Sequence, residues 1–276
     1  MHLSEAEQVF LVHGIQEGIR NDGRNREDYR PMLVETGVLP HTCGSARLRL
    51  SNTDVLVGVK AELDTPSLDK PNSGRMQFFI DCSANATPEF EDLANRIASI
   101  LNDAYNNPKC IDLDQLCIVP QVYCWLLYVD VLLLQFGGNV CDAVSLGVKA
   151  ALHDTKLPNV TTLKHVDKEQ PDIDLSDDRF DVKTLQKISS SAPVVVTVCK
   201  IGWSMVVDPT PEEECCSKAF LMVGSTLDGA LTVVRQHGKG SLDPDSLNEM
   251  LECGVRLGKR LNERLVAKLQ IEPMEK

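Results

Sequence analysis

The chain has 276 residues, of which 43% are hydrophobic and 25% are charged, and its formal charge is −12. This composition is typical of a globular protein and excludes the disordered, collagen-like and fibrous classes. The excess of acidic over basic residues also excludes a protein that binds nucleic acid over its whole surface, because phosphate binding needs clustered lysine and arginine.

The first predicted element is a helix near the N-terminus. Ser4 and Glu7 have the spacing of a capping box, in which the two side chains satisfy free amides of the first turn. The turn-forming residues 21–23 then end the helix. Apolar residues recur at helical spacing and predict the buried stripe, namely Val9, Val12, Ile15 and Ile19.

Strands and a long loop follow this helix. The turn at 51–54 joins two of the strands into a hairpin. Two prolines and a glycine between Leu63 and Arg75 predict a long loop. In chain order, the predicted strands cover 32–39, 47–50, 55–59 and 76–82.

Two further helices flank a strongly apolar strand. Thr87 followed by proline predicts a helix start, and residues 106–108 end that helix. The run from Tyr123 to Gln135 is almost wholly apolar, which predicts a central strand covered on both faces. Gly137 to Asn139 then turn the chain into a helix that reaches about Leu152, with Asn139 as its N-cap.

An acidic segment separates this half of the chain from the next. Between residues 167 and 181 there are seven acids and two bases, which predicts a solvated linker or an irregular excursion. A final helix begins at Asp243-Pro244, and Asp228-Gly229 predicts a hairpin turn. The predicted strands of this half cover 193–200, 203–207, 219–225 and 230–236.

The two halves share one order of elements, strand hairpins and then a helix. We therefore expect a single α+β domain over residues 1–276 that arose by duplication. Its parts are an N-terminal half at 30–155, an acidic linker region at 156–190, and a C-terminal half with the terminal helix at 191–270.

The cysteines and the apolar runs indicate the compartment. None of the ten cysteines has the C-x-x-C spacing of a zinc or redox site, so we expect buried free thiols and no metal. Residues 1–20 lack the apolar run of a signal peptide. The most apolar stretch, 125–136, contains Asp130 and is too short to cross a bilayer. The sequence therefore predicts an intracellular, soluble protein without a membrane contact.

Several segments together resemble the RNase PH family. They are Asn21-Asp22-Gly23-Arg24 with Tyr29-Arg30-Pro31 and Gly37, then Gly137-Gly138-Asn139, then Val206-Val207-Asp208-Pro209-Thr210. Within that family, residues 59–62, 139–151 and 239–244 are similar to the non-catalytic ring subunit of the exosome core. The resemblance covers about residues 20 to 265. It implies a duplicated two-half fold of the ribosomal-protein domain-2 type.

Active members of the family shorten RNA from its 3′ end, with phosphate attacking the terminal linkage. This chemistry needs cations and backbone donors that hold phosphate, and a carboxylate beside the linkage. Active members place an arginine at the helix start where this chain has Val140, which carries neither charge nor donor. They also carry arginines near the start of the preceding helix, where this chain has Glu89 to Asp92. The resemblance therefore implies that the phosphate clamp is lost, and that Gly137 to Asn139 serve only as a turn and N-cap.

Two acids are vestigial candidates for the catalytic carboxylates. Active members carry two aspartates six positions apart, and Asp208 and Glu214 keep this separation. We favour a structural acid at the strand end for Asp208 and a solvated acidic run for Glu212 to Glu214. The alternative is an active phosphorolytic 3′-to-5′ exoribonuclease that uses both acids. A small-molecule enzyme is a third interpretation, but no glycine-rich phosphate loop supports it.

Basic residues supply the candidates for RNA contact. Lys70 and Arg75 lie in the long predicted loop, where they either contact RNA in a central pore or are ordinary exposed charges. A group of N-terminal arginines either binds RNA or pairs with neighbouring acids, and we favour the pairing. These arginines and acids are Arg20, Arg24, Arg26 and Arg30, with Asp22, Glu27 and Asp28.

The resemblance implies a non-catalytic structural subunit in the hexameric ring of the exosome core. This ring supports 3′-to-5′ processing and degradation of RNA, rRNA included, by associated ribonucleases. The implied partners are other RNase PH-like ring subunits, RNA-binding cap subunits, the associated ribonucleases and RNA threaded through the ring. The implied locations are the nucleus, the nucleolus and the cytoplasm, and no cofactor is expected.

Overall fold

The computed structural model describes residues 3–82, 87–107, 111–163, 172–176, 178 and 181–271. The helices are α1 Glu5–Gln16, α2 Pro88–Tyr105, α3 Val140–Asp154, α4 Gln186–Ser191, α5 Pro211–Cys216 and α6 Pro244–Ile271. A short 3-10 helix covers Leu113–Leu116. The strands are β1 Met32–Thr36, β2 Gly44–Leu50, β3 Thr53–Asp64, β4 Arg75–Asp81, β5 Cys117–Val119, β6 Tyr123–Gln135, β7 Lys156–Pro158, β8 Val160–Leu163, β9 Asp172–Leu175, β10 Val182–Thr184, β11 Val194–Ile201, β12 Ser204–Val207, β13 Ala219–Ser225 and β14 Leu231–His237.

The first sheet has the strand order β1-β2-β3-β6-β4, and β5 also pairs with β6. β6 pairs antiparallel with β3 and parallel with β4. The prediction that β6 is covered on both faces holds for its start, at Cys124 and Leu126, and was wrong for the rest of the strand. Leu127, Val129 and Val131 are buried, whereas Tyr128 and Asp130 on the other face are only half-buried. Near its end β6 also leaves Leu134 exposed. The long apolar run therefore forms a strand that is fully packed on only one of its faces.

The second sheet has the order β12-β11-β13-β14 and packs against α6. Two helical glycines permit this close packing. A Cβ on Gly254 would lie 2.7 Å from Val223 Cβ, and one on Gly258 would lie 2.2 Å from Ser225 Oγ. A larger residue at either position would therefore push α6 away from the sheet.

Helix α3 lies between the two sheets and is buried on all sides. It contacts β2 and β3 of the first sheet and β11 of the second, and every residue from Val140 to Leu152 is buried. One continuous hydrophobic cluster includes residues of both sheets, α3 and α6. The two halves of the chain thus share a core built mainly from valine, leucine, isoleucine and alanine.

The buried face of helix α1 differs in part from the predicted one. The capping box of Ser4 and Glu7 is confirmed, but Val9 and Ile19 are 54% and 69% exposed. The prediction holds for Ile15, which is buried, and for Val12, which is half-buried and packs against it. Leu11 is buried in addition, because α1 ends at Gln16 and packs only a short face against β11 and α5.

The segment expected to be a solvated linker or an irregular excursion contains ordered strands. β9 covers Asp172–Leu175 and pairs with β8, while β10 pairs with β7. That prediction was wrong for these four residues, because backbone pairing overrides the polar composition. Residues 167–171, 177, 179 and 180 of the same segment lie outside the described residues. Among the helices that the structure describes, none is long and apolar enough to cross a membrane.

Candidate functional site

Asp208 is placed at the end of β12, in a backbone conformation that is unusual for an aspartate. Its φ is +50°, in the left-handed region, and the residue is 0% exposed. Among non-glycine residues, aspartate and asparagine tolerate this region best. The left-handed turn directs the carboxylate inward, toward the segment that precedes β1.

The Asp208 carboxylate is surrounded by donors from the N-terminal arginines. Oδ2 accepts hydrogen bonds from Arg24 Nη1 at 2.9 Å and from the backbone N and Nε of Arg30 at 2.8 and 2.9 Å. Oδ1 accepts from Arg30 Nη2 at 2.8 Å and from Asn139 Nδ2 at 2.9 Å. Burial alone would raise the pKa of Asp208, but the hydrogen bonds and charge of Arg30 more than offset it, so the pKa is lowered. Asp208 is therefore an ionised acid with both oxygens occupied.

A second buried ion pair fixes the same region. Arg20 donates to Glu213 through Nε at 2.9 Å and Nη2 at 2.6 Å, and both side chains are buried. Glu213 also completes the capping box of α5 with Thr210. The expectation of a solvated acidic run at Glu212 to Glu214 was wrong for Glu213, which is buried, and for Glu214, which is half-buried and accepts from Asn139. The short helix α5 turns both acids inward. The sequence signal was the capping-box spacing of Thr210 and Glu213.

The arginine group pairs mostly over long sequence distances. Arg24 does bind the neighbouring Asp22, as expected, but it also binds Asp208. Arg30 binds Asp208, and Arg26 donates to the backbone oxygen of Gln16. The pairing predicted with near neighbours was thus incomplete, because spacing along the chain cannot show contacts nearly two hundred residues apart.

Asn139 connects the two acids that the resemblance singles out. It stands at the N-cap position of α3 with φ +53°, but its side chain does not cap that helix. Its backbone N donates to Glu214 Oε1 at 2.7 Å, and its Nδ2 donates to both Asp208 and Asp142. The expectation that Asn139 serves only as a turn and cap was therefore wrong, because its side chain is a buried cross-link.

Asp142 and Glu214 have raised pKa values. Burial raises the pKa of Asp142 to about 6, although hydrogen bonds from Tyr29 and Thr197 partly offset this effect. Burial also raises the pKa of Glu214 to about 7, while the Asn139 hydrogen bond and Arg30 lower it. Glu214 is therefore partly protonated near neutral pH, in contrast to Asp208.

A cavity of about 570 Å³ lies beside Asn139, between α2 and the second sheet. Val140 and Glu214 line it, whereas Asp208 does not. The cavity also holds two basic residues that sequence reasoning missed, Arg96 and His237, whose side chains contact each other. Arg96 could have been found, since it lies three residues after Leu93 on the buried face of α2. The cavity is therefore lined by the acids Glu89, Glu212 and Glu214 and by two basic groups, but not by the carboxylate of Asp208.

The loop candidates lie elsewhere on the molecule. Lys70 is exposed, and Arg75, at the start of β4, forms an ion pair with Asp64 at 2.9 Å. The structure does not bring either residue to the cavity beside Asn139. Across the described ranges there is no group of three or more His, Cys, Asp or Glu that could hold a metal ion.

Comparisons with known proteins agree with this architecture. The 3′ exoribonuclease family matches the chain in two parts, domain 1 at residues 28–158 and domain 2 at residues 191–256. The "Putative exosome complex exonuclease RRP42" of Dictyostelium discoideum is 32% identical and covers 94% of this chain and 95% of its own length. The "Exosome complex component Rrp42" of Sulfurisphaera tokodaii is 33% identical over 94% of this chain and 92% of its own.

Solved structures share the fold. An archaeal exosome core chain superposes with a TM-score of 0.76 at 24% identity, covering 95% of this chain and 96% of that one. Rice Rrp46 superposes with a TM-score of 0.64 at 16% identity, covering 91% of this chain and 100% of that one. The predicted RNase PH-like α+β fold is thus confirmed, and the chain belongs to the RNase PH, or 3′ exoribonuclease, family.

Proposed function

We propose that this chain is a structural subunit of the exosome core ring and does not itself cleave RNA. The relatives that share about a third of its sequence over nearly its whole length carry the names of exosome components. The observation that carries the proposal of inactivity is the state of Asp208. Its two oxygens accept five hydrogen bonds from Arg24, Arg30 and Asn139, and the residue is fully buried. A carboxylate held in this way has no free lone pair for a reacting RNA or metal ion.

The surroundings of the cavity also oppose phosphate binding. Val140 stands at the start of α3, where the resemblance implies an arginine, and it offers no charged donor. Glu89 and Glu212 line the same cavity and repel anions. Burial and Arg96 together lower the pKa of His237. Among the described lining residues Arg96 alone therefore keeps a full positive charge at neutral pH, which supports the loss of the phosphate clamp.

One observation favours the alternative of an active phosphorolytic exoribonuclease. Glu214 has its pKa raised to about 7 and lines the cavity together with Arg96, an arrangement found in many general acids. This alternative needs Asp208 as the second carboxylate. Because Asp208 does not line the cavity, the geometry supports the structural interpretation over this alternative.

The first expected result is that the purified chain releases no nucleoside diphosphate from single-stranded RNA in phosphate buffer. The measurement compares phosphate with phosphate-free buffer and includes an active family member as the positive control. Glu214→Gln is the informative variant, since it keeps the hydrogen bond with Asn139 and removes only the titratable proton. Phosphate-dependent release that disappears in Glu214→Gln would establish the enzymatic alternative.

Ring membership defines the partners that we propose. They are other RNase PH-like ring subunits, RNA-binding cap subunits, associated ribonucleases and RNA threaded through the ring, in the nucleus, the nucleolus and the cytoplasm. Neighbouring subunits in a ring meet through heterologous interfaces, so each subunit offers two different surfaces.

Native mass spectrometry of the tagged protein pulled from cells tests this assignment. We expect a mass that corresponds to six homologous ring subunits, each present once, with or without cap subunits. A monomer or a homohexamer as the dominant species would contradict membership of a mixed ring.

We also propose that Lys70 and Arg75 contact RNA in the pore. The double variant Lys70→Ala/Arg75→Ala in a reconstituted ring should reduce RNA crosslinking to this subunit without impairing assembly. Each lost contact with a single-stranded phosphate lowers the salt slope of the logarithm of affinity by roughly 0.7. The effect of Arg75 should be the smaller, because Asp64 already neutralises it.

The matched control is Lys187→Ala/Lys239→Ala, which removes the same amount of charge at two exposed positions elsewhere on the chain. Crosslinking that is equally reduced in both variants would show a general charge effect. Crosslinks that map to Asn139 instead would show that the cavity still binds RNA.

A further inference from the structure

A groove of about 630 Å³ lies between β1 and the C-terminal half of α6. It shares no lining residue with the cavity beside Asn139. Its apolar lining comes from β1, β2, α3 and α6, namely Val34, Leu48, Leu146, Leu257, Leu261 and Leu265. Most of these side chains are already buried, so the groove is a shallow extension of the core that reaches the surface.

One wall of the groove carries an unpaired basic stripe. Arg260, Arg264 and Lys268 follow one another at intervals of four residues along α6, and all three are exposed. None of the three forms an ion pair with a residue that the structure describes. The acids of the groove are Glu27, which pairs with Arg256, and Asp28. On a chain with a net charge of −12, this stripe is a local surplus of positive charge.

The opposite wall is the free edge of a sheet. β1 is the outermost strand and pairs only with β2 among the described strands. The backbone oxygen of Pro31 accepts a hydrogen bond from Ser51 N, and the backbone N of Gly37 donates one to Ser45 O. The odd-numbered residues of β1 therefore direct their backbone N–H and C=O groups toward β2. Met32 and Val34 therefore direct their N–H and C=O groups outward, and no described residue bonds to them. Such an edge is a template for one more strand.

The repeat distance of the basic side chains along α6 is close to the repeat distance of alternate side chains in a strand. Alternate side chains of a strand stand about 6.6 Å apart, and residues four apart on a helix stand about 6 Å apart along its axis. If a strand added to β1 runs along α6, it presents every second side chain to Arg260, Arg264 and Lys268 in turn. The side chains between the acids would point to the other face of the added strand, away from the groove.

We propose that this groove binds an extended acidic segment of a partner protein, which adds a strand to β1 and places alternate carboxylates on the α6 stripe. RNA fits less well, since the floor is apolar and the free edge offers peptide hydrogen bonds. The inference goes beyond ring membership and does not depend on it, because the binding is measured on the chain itself.

The test uses the full chain and fluorescein-labelled peptides of eight residues, with fluorescence polarisation as the readout. A peptide that alternates glutamate with valine should bind saturably, and a peptide that alternates lysine with valine should bind at least about tenfold more weakly. Methylating the backbone nitrogens that would donate to β1 should abolish binding, since it removes the strand hydrogen bonds and leaves the charge unchanged.

Two variants of α6 separate the stripe from general charge. Arg264→Glu should weaken binding of the glutamate peptide by roughly fivefold or more. Lys259→Glu makes the same change of charge five residues earlier on α6, outside the groove, and should leave binding unchanged. Absent saturable binding, equal effects of the two variants, or insensitivity to methylation would each overturn the proposal. So would a 12-nucleotide single-stranded RNA that binds more tightly than the glutamate peptide and depends on Arg264.

Discussion

Asp208→Asn is expected to lower the free energy of unfolding by ~3–5 kcal/mol, the range for breaking a buried ion pair on one side. Asp208 is the common counter-charge of Arg24 and Arg30, whose side chains are 12% and 8% exposed. Without it, Arg30 keeps only the carbonyl oxygens of Gly137 and Gly138 among its described partners, and the only acid left to Arg24 is the partly exposed Asp22. Asparagine tolerates the left-handed backbone at this position, so the variant tests the charge rather than the turn.

Glu214→Gln is the matched control for this variant. Glutamine imitates the protonated form that burial already favours, and its oxygen still accepts from Asn139. We expect a loss below ~1 kcal/mol. Urea unfolding of both variants at pH 7, followed by circular dichroism, provides the comparison. Equal losses in the two variants would contradict a structural role for Asp208 and remove the main support for the inactive subunit.

The pH dependence of Asp208 has a definite sign. Its pKa is lower in the folded state than the usual 3.8 of an aspartate, so its contribution to stability is present above that value. The contribution is lost as the pH falls through the folded pKa. Asp208→Asn should therefore be less sensitive than the wild type to acid below pH 3.8.

Much of the fold could be predicted from the sequence because local patterns dominate it. The strand at Tyr123–Gln135 was predicted with its observed bounds, and the helix starts after Ser4, Thr87 and Asp243 agree with the structure. Caps, prolines and periodicity act within a few residues, so one sequence contains their signal. Which face of a strand is covered depends on distant elements, and for this reason the outer face of β6 was misjudged.

The site could be predicted only in outline. Asp208 and Glu214 were found through a resemblance, but the arginine partners of Asp208 lie almost two hundred residues earlier, and the Asn139 partner of Glu214 lies 75 residues earlier. No periodicity connects Arg24 or Arg30 to Asp208. The resemblance marked the acids as remnants of catalysis, whereas the hydrogen bonds show what Asp208 does in this chain: it fixes the N-terminal segment to the end of β12.

Lys149 is a buried ionisable residue within the core, and we expect it to make the free energy of unfolding rise with pH. The residue lies within α3 and is 0% exposed. Its Nζ donates to Ala192 O and Asn262 Oδ1, both at 2.6 Å, and so connects α3, the start of β11 and α6. Burial lowers its pKa from 10.5 to about 7. Between these values the unfolded chain binds the extra proton, so unfolding becomes harder as the pH rises.

The comparison of the wild type with Lys149→Met isolates this contribution. Methionine keeps an unbranched chain of similar length but cannot titrate, whereas the tyrosines and cysteines that also titrate at high pH are common to both proteins. The difference in unfolding free energy should grow by up to about 1.4 kcal/mol per pH unit between pH 7 and 10. Urea unfolding at each pH unit measures it. If the unfolding free energies of the two proteins change in parallel with pH, Lys149 stays charged inside the protein. In that case the oxygens of Ala192 and Asn262 fully replace its hydration, and the junction of the two halves holds a permanent buried cation.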